Sequence, residues 1–282
     1  MNILTFDIEE WFHILDNEST KTEREWKNYE VRIHKNTDRI LEFLNNHNQK
    51  ATFFCLGWIA EKYPEVIKKI DAQGYEIGCH SYKHQLVYEQ NQQTFNSDTE
   101  KAIKTIEDTV GKKVKSYRAP GFSITKNEIW ALEQLIELGI EFDSSIFPAE
   151  RGHGGFPEFH PAQICKIDIN GHTLKEFPIN ATSILSKNFV FSGGGYFRLF
   201  PYPFIKYFSK KSPYIMTYFH PRDFDDKQPM IKDLSTIRKF KSYYNLTGAL
   251  NKLGHWLQDF NFIDLNTANQ TIDWDNINTV QL

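Results

Sequence analysis

The sequence has little cysteine and no long apolar run. Cys55, Cys79 and Cys165 are the only cysteines among 282 residues. An odd count in apolar surroundings excludes a dense disulfide framework and fits reduced thiols in a cytosolic protein. No stretch of about 18 apolar residues occurs, so no membrane-spanning helix is expected. No basic and apolar leader precedes the first strand pattern, and we expect a cytoplasmic location. Excess charge of one sign is also lacking: 33 basic residues face 36 acidic ones, a net charge of -3. There is no basic stripe of the kind that binds nucleic acid, so no such partner is expected. Internal repeats and low-complexity tracts are missing too.

What is present is a globular composition with 40% hydrophobic and 24% charged residues. Aromatic residues reach 15%, including 23 Phe and 13 Tyr, and most read as core. Over the first half, short apolar runs alternate with helical spacing. Residues 2–7 read as a strand. Residues 36–45 carry Ile40, Leu41 and Leu44 at helical spacing, and 51–57 form a second strand. Residues 59–72 read as one helix with Val66, Ile67 and Ile70 on one face, stopped by Gly74 ahead of a strand over 75–79. A helix around 97–110, a strand over 115–118, a helix over 127–138 ended by Gly139 and a strand over 140–143 continue the alternation. This order predicts parallel strands with crossover helices, as a closed barrel or an open doubly wound sheet. Residues 148–200 read as loops and hairpins over one end of the barrel. A strand over 214–219, a helix over about 234–253 and a strand near 260–263 follow. One domain over 1–282 is expected.

The strand patterns end in ionisable residues: Asp7, Glu9 and Glu10 after the first, His80 and His84 after the third, then Arg118, Asp143 and His220. In parallel α/β architectures these ends share one rim, where active sites sit. The i, i+4 spacing of His80 and His84 aims both rings the same way on a helical turn or a tight loop. Asp7 and Glu9 stand two apart, so an extended strand turns both carboxylates to one side. Two histidines and a carboxylate with an open position make a frequent catalytic zinc set. A second carboxylate beside them can take a proton. Glu10 is either a rival ligand or a solvated strand end.

Five motifs in order resemble the polysaccharide deacetylase family, carbohydrate esterase family 4, with its NodB homology domain. They are Thr5-Phe6-Asp7-Ile8-Glu9, His80-Ser81-Tyr82-Lys83-His84, Arg118-Ala119-Pro120, Asp143-Ser144-Ser145-Ile146-Phe147 and Tyr218-Phe219-His220. The resemblance implies a distorted, seven-stranded (β/α) barrel of TIM-like parallel strands. It also implies metal-dependent removal of N-acetyl groups from amino sugars. Glu9, His80 and His84 would hold a divalent metal, zinc first, with cobalt, nickel or manganese as substitutes. Asp7 would be the base, Arg118 its ion-pair partner, His220 the acid and Asp143 the carboxylate that orients His220. A backbone N–H near Gly121 would face the oxyanion.

Two departures stand out. Ile8 replaces the usual ligand aspartate, which passes that role to Glu9, and Phe147 replaces a tryptophan of the acetyl pocket. His153, in a glycine-rich loop, and Tyr196 and Arg198, after Gly193-Gly194-Gly195, are further candidates for binding substrate. The second half resembles members found with bacterial exopolysaccharide clusters. That implies an N-acetylated oligosaccharide or polysaccharide partner, or a lipid-linked precursor met in peripheral contact with a membrane. Two rival functions are an amidohydrolase of small cyclic amides or ureides on the same fold and an inactive sugar-binding module.

Overall fold

The computed structural model describes residues 1–15, 17–160, 162–184 and 187–282. The chain begins with β1 (Asn2–Ile3) and β2 (Thr5–Ile8). All four residues of β2 are buried, because a parallel strand covered on both faces must be apolar or paired throughout. The short α1 (Glu23–Trp26) leads to α2 (Ile33–His47), which buries Ile33, Ile40, Leu41 and Leu44. Next come β3 (Thr52–Cys55), α3 (Gly57–Lys62), α4 (Pro64–Ala72) and β4 (Glu76–Cys79). Then α5 (Gln92–Val110), β5 (Ser116–Tyr117), α6 (Trp130–Glu137) and β6 (Phe142–Asp143) complete the regular half. The helix expected over 59–72 is two helices. Tyr63 leaves helical geometry at φ -135°, as a residue before proline tends to, and Pro64 opens the next helix.

The second half adds β7 (Cys165–Ile169), β8 (His172–Glu176), β9 (Thr182–Ile184) and β10 (Lys187–Phe189). It continues with α7 (Gly194–Leu199), α8 (Tyr202–Lys211) and β11 (Ile215–Met216). The final elements are α9 (Thr236–Tyr243), α10 (Leu246–Asp259), α11 (Leu265–Thr271) and β12 (Thr279–Gln281). The single helix expected over 234–253 is also divided, at Asn245, which adopts the left-handed region (φ 52°). The strand expected near 260–263 reduces to one bridge, Ile3 to Ile263.

The main sheet has eight strands in the order β12-β7-β8-β6-β5-β4-β3-β2. All pairs are parallel except β7 with β8. On the far edge of the first strand segment, β1 pairs in parallel with β11, and Phe6 bridges to Phe219. The mostly parallel α/β architecture expected from the motifs is present, but a closed seven-stranded barrel is not found. Among the described residues the hydrogen-bonded ladder does not close. The reason lies at β8, whose second edge pairs with β7, and β12 then extends that edge outward. The β7–β8 hairpin turns on Asn170-Gly171, both at positive φ (54° and 84°), as a two-residue hairpin requires. This hairpin joins the sheet rather than covering one end of it.

Stacked rings hold the sheet centre: Phe6 lies on Phe53 at 5.4 Å, and Phe219 meets Phe6 at 6.0 Å. That packing fixes the last residue of the Tyr218-Phe219-His220 segment beside the end of β2.

Candidate active site

β2 alternates its side chains, so Asp7 and Glu9 emerge together while Ile8 enters the core, fully buried. The His80–His84 segment is a tight loop rather than a helical turn. Ser81 and His84 both take positive φ (66° and 57°), a conformation that costs free energy for residues with a Cβ. The loop is held by the His84 N–H donating to Ser81 Oγ at 3.0 Å and the Tyr82 N–H to Asp98 Oδ2 at 2.7 Å.

His80 Nδ1 lies 2.7 Å from the Arg118 carbonyl, which fixes the tautomer and leaves Nε2 as the free lone pair. That Nε2 is buried with no hydrogen-bond partner. His84 Nε2 stands 2.7 Å from Glu9 Oε2, yet Glu9 Oε2 also has no hydrogen-bond partner. One atom each from Glu9, His80 and His84 fall within 4.8 Å of one another. Three buried groups whose ligand atoms converge, His84 already paired with Glu9 and His80 Nε2 left without a partner, are a cradle for a cation, so the residues present fit a divalent metal. Burial works to raise the Glu9 carboxyl, but His84, His220 and His80 outweigh it and hold it well below the usual carboxylate range. Burial likewise lowers the His80 ring to about 4, which keeps its nitrogen available as a ligand.

Glu10 is not part of this cradle. Its Oε1 accepts the Arg32 and Ile33 N–H groups at 2.8 and 2.9 Å, at the start of α2. It is an anchor for that helix, and burial pushes it up to about 7.

Asp7 Oδ1 accepts from the Arg118 guanidinium at 2.8 Å. Arg118 is fully buried and saturated: it also donates to Thr5 Oγ1 (2.7 Å), Ser144 Oγ (2.9 Å) and the Ser144 carbonyl (3.3 Å). Phe54 lies under it at 4.3 Å. His220 Nε2 stands 3.8 Å from Asp7 Oδ2 and 3.2 Å from Glu9 Oε1. Its other nitrogen, Nδ1, faces Asp223 Oδ2 at 3.1 Å. Burial alone would lower this imidazole, but Glu9, Asp223 and Asp7 raise it to about 9.

The expectation that Asp143 orients His220 is corrected. Asp143 accepts from the Ser145 N–H and Oγ at 2.9 and 2.7 Å, and sits opposite Glu176 on the neighbouring strand. The carboxylate on His220 is Asp223, three residues further along, which accepts the His220 N–H at 2.9 Å as well. Asp223 went unread in the sequence. Its signal was the spacing: an acid three residues into a turn that Pro221 opens, the pattern of a capping box.

Arg198 is likewise not placed to meet substrate. It is buried, with Nε donating to Asp223 Oδ1 at 3.2 Å and its terminal nitrogens to the Tyr244 and Lys241 carbonyls. Tyr196, on the same helix, is exposed. Gly121 has positive φ (61°), and a Cβ there would meet Leu15 and Leu86 at 2.7 and 2.9 Å. His153 borders it, its Cβ 3.7 Å from that position. Phe147 packs with Phe122 (5.3 Å) and Tyr218 (6.0 Å) beneath the Arg151 guanidinium. His13 was also missed. It is buried, its ring 6.0 Å from that of His84, and Nδ1 accepts the Glu10 N–H.

Comparison with known proteins bears on the same residues. Residues 4–140 match the family model described as polysaccharide deacetylase. Residues 144–270 match one described as a domain of unknown function, DUF3473. A peptidoglycan-N-acetylglucosamine deacetylase of Bacillus cereus is 37% identical over 99 residues, 35% of this chain and 36% of the relative. A peptidoglycan deacetylase of Helicobacter pylori is 29% identical over 110 residues, 38% of this chain and 36% of the relative. The aligned region thus spans about a third of these relatives. A crystal structure from Mycobacterium smegmatis, described as a polysaccharide deacetylase, superposes with a TM-score of 0.67 at 16% identity, covering 100% of this chain and 92% of that one. A CE4 family pseudoenzyme from Bacillus anthracis gives 0.51 at 16% identity, covering 95% and 64%. At these identities the two structures establish the shared fold.

Proposed function

Residues 4–140 being a polysaccharide deacetylase domain, we propose that the chain is a metal-dependent hydrolase removing N-acetyl groups from amino sugars. Its substrate is a polysaccharide or lipid-linked precursor in bacterial exopolysaccharide or cell-surface glycan synthesis. The carrying observation is the convergence of Asp7, Glu9, His80, His84 and His220 at the strand ends, with the Glu9, His80 and His84 ligand atoms within 4.8 Å of one another and His80 Nε2 buried without a partner. Asp7, Glu9, His80 and His84 come from the first matched region and His220 from the second. We therefore read the two as one catalytic unit. Three buried free cysteines support a cytoplasmic location.

Glu9, His80 and His84 would hold the ion, and zinc suits two imidazoles and a carboxylate, with cobalt, nickel or manganese as substitutes. Such an ion supplies Lewis acidity and makes water a nucleophile at neutral pH. Asp7, paired with and oriented by Arg118, takes the proton of the attacking water. A backbone N–H near Gly121 would meet the charge that develops on the acetyl oxygen, the role the family resemblance gives it. His220, held protonated by Glu9 and Asp223, gives a proton to the departing amine, which cannot leave as an anion. His153, beside Gly121, and the exposed Tyr196 are the side chains we assign to substrate contact.

The test is acetate release from N-acetylated oligosaccharides after chelation and after zinc or cobalt is restored. Release that depends on the metal supports the reading. Turnover of a small cyclic amide alone, or no release from any sugar, overturns it.

A further inference from the structure

An eight-residue helix with none of its residues buried is an odd component of a folded protein. Such is α9, Thr236–Tyr243. An amphipathic surface helix ordinarily turns its apolar stripe inward. Here the stripe points out: Ile237, Phe240 and the following Tyr244, at i, i+3 and i+7, are 69%, 53% and 42% exposed. The Phe240 and Tyr244 rings stack on each other at 4.8 Å rather than on the core. Helix α7 lies alongside, since a Cβ on Gly195 would stand 3.1 Å from the Lys241 carbonyl. It adds Tyr196 and Leu199, 44% and 45% exposed.

The charge of the helix itself has one sign. Helix α9 carries Arg238, Lys239 and Lys241 and no acidic residue. Lys239 and Lys241 make no ion pair among the described residues. Outward apolar residues interleaved with lysines are the chemistry of a helix lying in the interface of an anionic bilayer. A second copy of the chain fits this surface poorly, because a two-fold contact would bring the lysines of each α9 against those of the other.

We propose that α9, with the exposed edge of α7, is a docking surface for an anionic membrane. The surface is tied to the catalytic centre. Arg198 ties the Lys241 and Tyr244 carbonyls at the end of α9 to Asp223, the partner of His220. A bilayer seated on α9 therefore brings lipid headgroups beside the site without any membrane-spanning element, and no described helix is long and apolar enough to span.

The experiment is flotation of the purified chain with vesicles of phosphatidylcholine, with and without phosphatidylglycerol. It needs neither metal nor substrate, so its failure leaves the deacetylase reading standing, and the reverse holds too. The parent should float with phosphatidylglycerol vesicles and not with phosphatidylcholine alone. Lys239→Gln/Lys241→Gln should weaken partition on the order of 20-fold, since each basic residue near an anionic surface contributes about five-fold. Ile237→Ser/Phe240→Ser should weaken it about ten-fold or more. All four side chains are at the surface, and both variants should melt with the parent. No flotation with anionic vesicles, equal flotation with neutral ones, or flotation unchanged in both variants overturns the proposal. So does a dimer of the parent that Ile237→Ser/Phe240→Ser dissociates, which would give the surface to a second copy.

Discussion

Asp223 stands between the two cations that define its role: Oδ2 lies 3.1 Å from His220 Nδ1, and Oδ1 accepts from Arg198 Nε at 3.2 Å. Burial would raise this carboxyl, yet His220 and Arg198 hold it near 2, so it stays ionised behind the imidazole. Replacing it by Asn keeps the shape and removes the charge. Asp223→Asn should lower kcat for acetate release by about 100-fold or more, with little change in KM. Asp143→Asn, which touches neither His220 nor Arg198, should change kcat by less than about three-fold. Steady-state kinetics on the two variants separates the assignments, and equal losses would reject the Asp223 role.

The ligand set makes its own prediction. His80 presents Nε2 because the Arg118 carbonyl holds Nδ1. Titration calorimetry with zinc should show one site in the parent. His80→Ala should weaken it by more than the roughly 10–100-fold lost when an outer partner is removed. Glu10→Gln should leave zinc affinity unchanged, since Glu10 faces the start of α2. Loss of affinity on changing Glu10, and not Glu9, would reverse the ligand assignment.

Arg118 carries a stability prediction. It is fully buried and neutralises Asp7, which has almost no solvent access. Arg118→Ala leaves a buried carboxylate without its hydrogen-bonded guanidinium, with only the more distant His220 as counter-charge, and should cost about 3–5 kcal/mol in denaturant unfolding. Arg118→Lys should recover only part of this, because an ammonium cannot reach Asp7, Thr5 and Ser144 together.

The buried pair of Asp143 and Glu176 sets a pH dependence away from the catalytic centre. Burial raises both carboxyls, Glu176 the more so, because Asp143 faces it. A carboxyl raised in the fold contributes stability that is complete below its unfolded pKa and is lost as pH rises through its folded value. Glu176→Gln can still donate towards Asp143 and accept the Ile146 N–H. It should therefore melt above the parent at about pH 8, and the gap should close near about pH 4. A gap that widens on acidification would contradict the shared-proton pair.

Much of this geometry was written in local sequence. Period-two and helical patterning located β2 to β6 and their crossover helices, and the ionisable strand ends pointed to the rim where Asp7, Glu9, His80, His84, Arg118 and His220 meet. The break at Tyr63-Pro64 and the hairpin at Asn170-Gly171 carry local signals too, a proline and a turn pair, that the apolar patterning passed over. Pairing between distant segments was not visible. Nothing local says that β8 turns to β7 and leaves the barrel open, or that β1 pairs with β11. Nor does the sequence order tell Asp143 from Asp223 as the partner of His220, since that choice depends on how a short turn after Pro221 folds back. Arg198 read as a sugar or phosphate contact because its burial against Asp223 depends on α9 and α10, which patterning merged into one helix.

The central claim is that Asp7 is the base of a metal-dependent deacetylation. The most direct measurement is acetate release by zinc-loaded Asp7→Asn beside the zinc-loaded parent, on the same N-acetylated oligosaccharide. Zinc content is checked in both, and Arg118 is left intact. The account predicts metal-dependent release by the parent and a loss of about 100-fold or more in the variant at matched zinc content. Equal release by the two proteins would contradict it.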